Sequence, residues 1–211
     1  MLASTPVPTK SQRQPRPPWK NKPVAPKPKP SKRDAILNAM LDVVVERGFH
    51  EAPMSLISER SGASAGVIYH YFASKDEIIH ALYERVRNLK TASILEGYSA
   101  DLTPREAFLQ SWTNTYTFYR KHQREMRFLA QYENAGFPCI PDPSAHDQLL
   151  DFQARFTSKS QGGVLEDWPE QVLVEMTLGL VGRLASQPQK LPAPTLQAIG
   201  EKLWEAVRAK P

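Results

Sequence analysis

The fold is decided by residues 57–78, which read ISERSGASAGVIYHYFASKDEI. The segment Ser61-Gly62-Ala63-Ser64 has the composition of a tight turn. Ser64 is a suitable N-cap for a short helix over about 65–71, and Ser74 is a suitable N-cap for a longer helix after it. Together these signals predict a short helix that short turns connect to one helix before it and to a longer helix after it.

The residues before this stretch also predict helices. Apolar residues recur at helical spacing from Ile36 to Val44, with Ser31 as a candidate N-cap and Gly48 as the end of the helix. Pro53 can occupy the first position of a short helix over about 54–61. Two short helices joined by a Gly-containing turn are typical of a helix-turn-helix, in which the second helix enters the DNA major groove.

The same residues resemble the DNA-binding head of the tetracycline-repressor (TetR) family of bacterial regulators. The similar features are Gly48-Phe49, the Gly-x-Ser turn over 62–64, the recognition-helix motif Tyr69-His70-Tyr71-Phe72 and the restart Ser74-Lys75-Asp76. The resemblance covers about Ser31 to Arg87. It implies an all-α fold, with an N-terminal three-helix helix-turn-helix head and a C-terminal helical body that binds an effector and dimerises.

The resemblance also implies DNA contacts, carried over position by position. Tyr69 corresponds to a residue that contacts a phosphate or a base edge, and Gly66 lets the backbone approach the phosphates. Val67 stands where many members have threonine, and Ala65 stands where a basic residue is frequent, so the head is poor in cations. Tyr71 is a groove residue or a partly buried core residue. The full predicted DNA-binding set is Lys32, Arg33, Ser55, Ser64, Ala65, Gly66, Val67, Tyr69, His70, Tyr71 and Lys75.

The N-terminal segment differs sharply in charge from the rest of the chain. Residues 1–33 contain nine basic residues and no acidic residue, so a total formal charge of +5 leaves −4 for the remaining residues. Nine of the 19 prolines lie within residues 6–30. The few apolar residues of this segment would bury too little surface to offset the conformational entropy lost when it becomes ordered. We therefore expect a disordered basic proline-rich arm over 1–30, a DNA-binding domain over 31–78 and a helical body over 79–211.

Several roles fit this arm. It can be a solubilising tail, a cationic arm for nucleic acid, a membrane-surface segment, or a ligand for a proline-reading domain. The last role is suggested by Pro15-Arg16-Pro17-Pro18 and Pro23-Val24-Ala25-Pro26, which both fit PxxP. Because the head is poor in cations, we expect the arm to add phosphate contacts.

The body is predicted to contain further helices. Thr103-Pro104-Arg105-Glu106 is a capping box with proline at the first helical position. Other helices are expected around 126–136 and over about 144–158, 168–186 and 195–209, with a proline-rich loop over 136–143. Cys139 is a candidate redox switch or, together with His146, a candidate metal pair, although a lone loop cysteine is usually incidental.

The resemblance implies an effector pocket among the middle helices. Its expected lining is Trp112, Tyr116, Tyr119, Phe128, Tyr132, Phe152 and Met176. Few charged residues surround these positions, which favours an apolar or aromatic effector. Ordinary core packing is the alternative, because an aromatic stripe at helical spacing is usually core.

Two apolar stripes near the C-terminus predict a dimer interface. They are formed by Met176, Leu180, Leu184, Leu196, Ile199, Leu203, Trp204 and Val207. Two such helical hairpins can form a four-helix bundle across a two-fold axis, which would place the recognition helices about 34–36 Å apart over a palindrome. The alternative is that the stripes pack only inside one protomer.

The composition also excludes several classes of protein. A single cysteine excludes a disulfide framework and a cysteine-cluster zinc site. We find no 18-residue apolar run, no signal peptide and no nucleophile–base pair, metal-spaced cluster or glycine-rich phosphate loop. We therefore expect a cytoplasmic protein that is not an enzyme, with no membrane span, no cofactor and no metal.

The features together predict a homodimeric DNA-binding transcriptional regulator. The favoured mode is a repressor that a small-molecule effector releases from a palindromic operator in double-stranded DNA. The alternatives are an activator of the same fold and a non-specific architectural DNA-binding protein that uses the basic arm.

Overall fold

A computed structural model describes residues 31–137, 152, 154, 156 and 164–209. The described elements are α1 (Lys32–Arg47), α2 (Met54–Ser61), α3 (Ala65–Tyr71), α4 (Lys75–Ile94), α5 (Pro104–Lys121), α6 (Gln123–Asn134), α7 and α8 (Ala193–Val207). Helix α7 consists of Glu170–Val174, a π-helical turn over Glu175–Gly179, and Leu180–Ser186. Residues 152, 154 and 156 are also helical. The all-α fold class is confirmed.

Some sequence predictions lie outside the described residues. They are the arm over 1–30, most of the proline-rich loop over 136–143, Cys139 with His146, and all but three positions of the helix expected over about 144–158.

The helix starts follow local side-chain chemistry. Ser31, Ser64 and Ser74 cap α1, α3 and α4 as predicted, each by accepting a hydrogen bond from an N–H group of the first turn. Thr103 and Glu106 form the predicted capping box at the start of α5. Each cap satisfies a backbone donor that has no partner within its own helix.

Three helix boundaries differ from the predictions. Pro53 is the N-cap of α2 rather than its first residue, and the preceding Ala52 is fully buried. Helix α7 begins at Glu170 and contains a π-helical turn that the apolar spacing did not indicate. Helix α8 ends at Val207, because the chain after it pairs with residues 164–166: Glu166 N–H donates to Val207 O at 2.8 Å and Ala209 N–H donates to Val164 O at 2.8 Å.

The core of the head is completed by a helix from the body. Buried side chains from α1 to α4 form one cluster, and Phe128, Leu129 and Tyr132 of α6 belong to it. Helix α4 runs without interruption through residue 78, where the boundary between head and body was expected. A displacement of the head must therefore pass through α4 and α6.

The body is built around α5, which packs against α7 and α8. Trp112 Nε1–H donates to Leu196 O at 3.0 Å, and Tyr116 Oη accepts from Leu191 N–H at 2.8 Å. These two bonds tie the aromatic face of α5 to the start of α8. The close approach leaves no room at Gly200, where an added Cβ would lie 2.8 Å from Trp112 Cδ1.

Candidate nucleic-acid interface

Helix α3 has one buried face and one exposed face. Ile68 and Phe72 are almost completely buried and fix the helix to the head. Tyr69 is 55% exposed, Tyr71 is 41% exposed and Val67 is 37% exposed. The rings of His70 and Tyr71 meet edge-on, with centroids 5.3 Å apart. The exposed face therefore offers two phenols, an imidazole and an apolar side chain, and Tyr71 is not part of the core.

Gly66 lies in the first turn of α3 and has no structural reason to be glycine. Its φ is not positive, and a Cβ added there would meet no atom within 4 Å. Glycine in a helix usually lowers stability by about 0.5–1 kcal/mol relative to alanine. The space above this backbone is therefore open to a partner outside the protomer.

The turn that positions α3 is held by hydroxyl groups on α2. Gly62 adopts a left-handed conformation with φ 63° and ends α2. Ser58 Oγ donates to Ala63 O at 2.7 Å, and Ser61 Oγ accepts from Ala63 N–H at 3.2 Å. The Ser58 hydroxyl on α2 therefore helps to fix the turn that leads into α3.

The cations near α3 are mostly engaged within the head. Arg60 makes a two-pronged ion pair with Glu46 at 2.7 and 2.6 Å, and this hydrogen bonding holds the pKa of Glu46 below its ordinary value. Lys75 Nζ donates to Phe49 O at 2.7 Å. The predicted phosphate ligand Lys75 therefore also anchors the segment between α1 and α2.

The start of α1 lies beside the turn and the end of α3. Lys32 Nζ donates to Gly62 O at 3.3 Å, and the Arg33 guanidinium lies 5.2 Å from the centre of the Phe72 ring. Both side chains remain at the surface of the head. The structure thus places Lys32 next to the α2–α3 turn and Arg33 next to the end of α3.

The two predicted serine contacts also lie at helix starts. Ser55 is exposed in the first turn of α2, whose N-cap makes no side-chain hydrogen bond. Ser64 and Ala65 are exposed at the start of α3. Backbone N–H groups at such positions favour phosphate oxygens. All eleven predicted DNA-binding residues therefore lie in the head, with Lys75 the least exposed of them.

The seven predicted effector residues do not come together. Phe128 and Tyr132 belong to the core of the head, whereas Trp112, Tyr116 and Tyr119 pack against α7 and α8. Phe152 and Met176 belong to a third cluster with Phe108 and Trp204. Helical spacing identified their buried faces correctly but could not say which neighbour covers each face.

A polar group on α4 was not found by sequence reasoning. Glu84 Oε2 accepts from Arg87 Nη2 at 2.8 Å, while Glu84 Oε1 and Asn88 Oδ1 are buried and accept no hydrogen bond from the described part of the chain. The Arg87 guanidinium lies 5.9 Å from the Tyr83 ring centre. Buried acceptors without a donor are unfavourable. The i, i+4 spacing of Glu84 and Asn88 was the one feature of the sequence that could have indicated this polar group.

This polar group is connected to the head by stacked rings. Tyr83 stacks on Tyr132 with centroids 4.1 Å apart, and His80 Nδ1 lies 2.7 Å from Tyr132 Oη. Tyr132 also contacts the ring of Phe49. The backbone carbonyl of Phe49 accepts a hydrogen bond from Lys75. Packed contacts thus run from the middle of α4 to the segment before α2.

The predicted dimer residues fall into two groups. Leu196, Trp204 and Val207 are buried inside the protomer. Met176, Leu180, Leu184, Ile199 and Leu203 are only half-buried. Met176, Leu180 and Leu203 line a shallow groove together with Glu175 and Arg183. Of the predicted dimer residues, the half-buried ones therefore have apolar surface that a partner could cover.

Within the described residues, no group of three His, Cys, Asp or Glu side chains could hold a metal ion. In the same part of the chain, no helix is both long and apolar enough to cross a bilayer.

Known proteins are similar to this chain in two respects, the sequence of the head and the fold of most of the chain. The model of the family described as bacterial regulatory proteins, tetR family, matches residues 36–82. An uncharacterized HTH-type transcriptional regulator of Haemophilus influenzae is 22% identical over 179 residues, which is 83% of this chain and 95% of the relative. The HTH-type transcriptional activator FasR of Mycolicibacterium smegmatis is 40% identical over 58 residues, 28% of this chain and 26% of that protein.

A solved structure extends the match beyond the head. A TetR family transcription regulator from Marinobacter aquaeolei has a TM-score of 0.73 at 16% identity, with 85% of this chain and 96% of that chain covered. The family match contains α3 and its supporting helices, and the structural relative has the same fold over most of the chain. Residues 36–82, which contain α3 and its supporting helices, therefore match the family described as bacterial regulatory proteins, tetR family, and the fold over most of the chain is similar to that of a TetR family transcription regulator.

Proposed function

We propose that the protein is a homodimeric repressor that binds a palindromic operator through α3 and leaves it when a small molecule binds the body. The observation that carries the DNA contact is the outer face of α3. Tyr69, His70 and Tyr71 are exposed there beside Gly66, which no neighbour crowds. Side chains that reach base edges and a backbone that approaches phosphates are the two components of groove recognition.

The dimer follows from the half-buried apolar residues of α7 and α8. Helices with an unsatisfied apolar stripe pack in pairs across two-fold axes. The pairing would set the spacing of two α3 helices and so select a palindrome with half-sites about one helical turn apart.

The buried acceptors of Glu84 and Asn88 support an effector that carries hydrogen-bond donors. Such a molecule would satisfy Glu84 Oε1 and Asn88 Oδ1, which find no donor among the residues that the structure describes. These acceptors favour an effector with polar groups. The scarcity of charged residues around the expected pocket had favoured an apolar or aromatic effector. Movement of α4 would pass through the Tyr83–Tyr132 stack toward the head, which shifts the population between operator-bound and free forms.

The DNA contact is tested with the DNA upstream of the gene and of its neighbours, measured near physiological salt against random competitor. We expect one protected palindrome. The Tyr69→Ala variant should bind it about tenfold or more weakly, since one good base contact contributes about 1–3 kcal/mol. Trp168→Ala is the matched control, because Trp168 is 40% exposed and lies in the body.

The outcomes separate the alternatives. Equal affinity of the wild type for the palindrome and for random DNA would replace the proposal with an architectural role. Repression and activation are separated by a reporter placed behind the palindrome, and a rise in transcription on adding the protein would indicate an activator.

The effector is tested by screening small molecules for release of the protein from the palindrome. Hits should carry hydrogen-bond donors, and Glu84→Gln should weaken their effect while leaving operator affinity unchanged. Hits that are purely apolar and act equally on Glu84→Gln would contradict the polar site.

A further inference from the structure

A basic pocket lies in the body, between the last turns of α5 and the segment that joins α7 to α8. It has a volume of about 240 Å³ and is lined by Tyr116, Thr117, Arg120, Lys121 and Lys190. Three of these five side chains are cationic and none is acidic. The pocket is separate from the predicted DNA-binding residues, all of which lie in the head.

The two segments that form the pocket contain no carboxylate side chain. Residues 107–124 and residues 176–200 have neither Asp nor Glu. Among the described residues, no carboxylate makes an ion pair with Arg120, Lys121 or Lys190. Cations that share one pocket repel one another, and an anion placed between them would reverse the sign of that interaction.

Arg120 is held by neutral acceptors, which position its charge without neutralising it. Its Nη1 donates to Ala185 O at 3.1 Å and to Gln187 O, and its Nη2 donates to Pro188 O at 3.4 Å. A guanidinium has five N–H donors, so these three bonds leave two for the oxygen atoms of a ligand. The same bonds fix the end of α7 and the residues after it, which lead to Lys190.

The pocket also contains a buried hydroxyl group with an unused proton. Tyr116 is only 2% exposed, and its Oη accepts from Leu191 N–H at 2.8 Å. Its own O–H finds no acceptor among the residues that the structure describes, whereas the neighbouring Thr117 Oγ1 donates to Thr113 O at 2.9 Å. A buried donor without an acceptor is unfavourable, so Tyr116 favours a ligand that brings an oxygen atom into the pocket.

We propose that this pocket binds the oxyanion group, a phosphate or a carboxylate, of a small molecule. The guanidinium of Arg120 suits either group, the two lysines add charge, and the Tyr116 hydroxyl adds a buried donor. The burial of Tyr116 favours a small ligand over the backbone of duplex DNA, because only a group that fits inside the pocket can reach that hydroxyl. This site is distinct from the acceptors of Glu84 and Asn88, which favour a ligand with hydrogen-bond donors.

The test titrates the isotope-labelled full chain with inorganic phosphate and, separately, with succinate, while sodium chloride keeps the ionic strength constant. The amide resonances of residues 189–191 report on binding, because Leu191 N–H is bonded to Tyr116 Oη. We expect shifts that saturate with at least one of the two anions. Saturation with phosphate alone would assign a phosphorylated ligand, and saturation with succinate alone would assign a carboxylate.

Variants connect the shifts to the pocket. Lys121→Gln combined with Lys190→Gln should raise the dissociation constant of that anion on the order of tenfold, because two charges leave the pocket. Tyr116→Phe keeps the ring and removes the buried donor, so it should also weaken binding. The matched control is Arg47→Gln combined with Lys202→Gln, which removes the same charge at exposed positions outside the pocket and should bind like the wild type.

Three results would overturn the inference. One is the absence of saturating shifts with either anion, and another is an equal loss of binding in the control variant, which would indicate a general effect of net charge. The third is a random-sequence duplex that produces the shifts while neither small anion does, which would assign the pocket to the DNA backbone. None of these titrations uses the operator, so their outcome is independent of the proposed function.

Discussion

At the scale of single residues, two glycines of the chain are explained in opposite ways. Gly66 on α3 has open space around its Cα, whereas Gly200 on α8 lies directly against the Trp112 ring. Neither has a positive φ, so backbone conformation does not require glycine at either place. Internal packing explains Gly200, and the proposed approach of DNA would explain Gly66.

The Gly66→Ala variant should therefore separate binding from folding. Alanine is the better helix former, so we expect the free energy of unfolding to stay equal or to rise by up to about 1 kcal/mol. Operator affinity should fall, because the added methyl group keeps the backbone away from the phosphates. Urea unfolding and DNA titration of the same preparation measure both quantities. Unchanged operator affinity would contradict a close approach at Gly66.

Gly200→Ala provides the comparison with the opposite result. Its Cβ would lie 2.8 Å from Trp112 Cδ1 and 3.2 Å from Leu109 Cδ2, so α5 and α8 must separate. Overpacking of this kind costs about 1–3 kcal/mol. The urea midpoint should drop while the operator affinity of the folded fraction stays the same.

At the scale of helices, the helix-turn-helix is held by polar contacts that link neighbouring elements. Glu46 of α1 binds Arg60 of α2, and Asp42 of α1 pairs with Arg124 of α6. The apolar core fixes which faces meet, and these pairs fix how the helices are aligned along one another.

The Glu46–Arg60 pair makes stability depend on pH in a defined direction. Hydrogen bonding by Arg60 lowers the folded-state pKa of Glu46 below 4.5, so folding favours the ionised form. This contribution is complete above the unfolded pKa and is lost as the pH falls through the lowered folded pKa. The difference in urea midpoint between wild type and Glu46→Gln should be present at pH 7 and should shrink below pH of about 4. A difference that stays constant down to pH 3 would rule out this linkage.

At the scale of the whole molecule, the proposed regulation would need a dimer whose spacing responds to the body. The half-buried residues of α7 and α8 are the available surface for pairing, and the π-helical turn over Glu175–Gly179 lies within it. A π-helical turn shifts the side chains after it relative to a regular α-helix. The groove residues Met176 and Leu180 lie within and just after this turn.

Leu180→Glu should convert the dimer to a monomer. A carboxylate at the centre of a mainly apolar interface must be desolvated, which opposes pairing. Light scattering after gel filtration should show half the mass, with the helical circular dichroism signal retained. The matched control is Leu89→Glu on α4, where the leucine is 40% exposed and outside the groove. A dimer that survives Leu180→Glu, or dissociates equally with Leu89→Glu, would place the interface elsewhere.

The sequence by itself determined the features that depend on neighbouring residues. Serine caps, the capping box at Thr103 and the tight turn over 61–64 all depend on a few neighbouring residues, so composition and spacing were enough to predict them. The alternation of buried Ile68 with exposed Tyr69 follows from helical periodicity in the same way. The charge contrast between residues 1–30 and the head is also a property of the sequence alone.

Only the tertiary structure decided what covers each buried face. Tyr132 joins the head and Trp112 joins α7 and α8, although both were expected to line one effector pocket. The same holds for the partners of Lys75 and Arg60 and for the unpaired acceptors of Glu84 and Asn88. Periodicity specifies which side of a helix avoids water, but the identity of the neighbour depends on contacts between residues far apart in the chain.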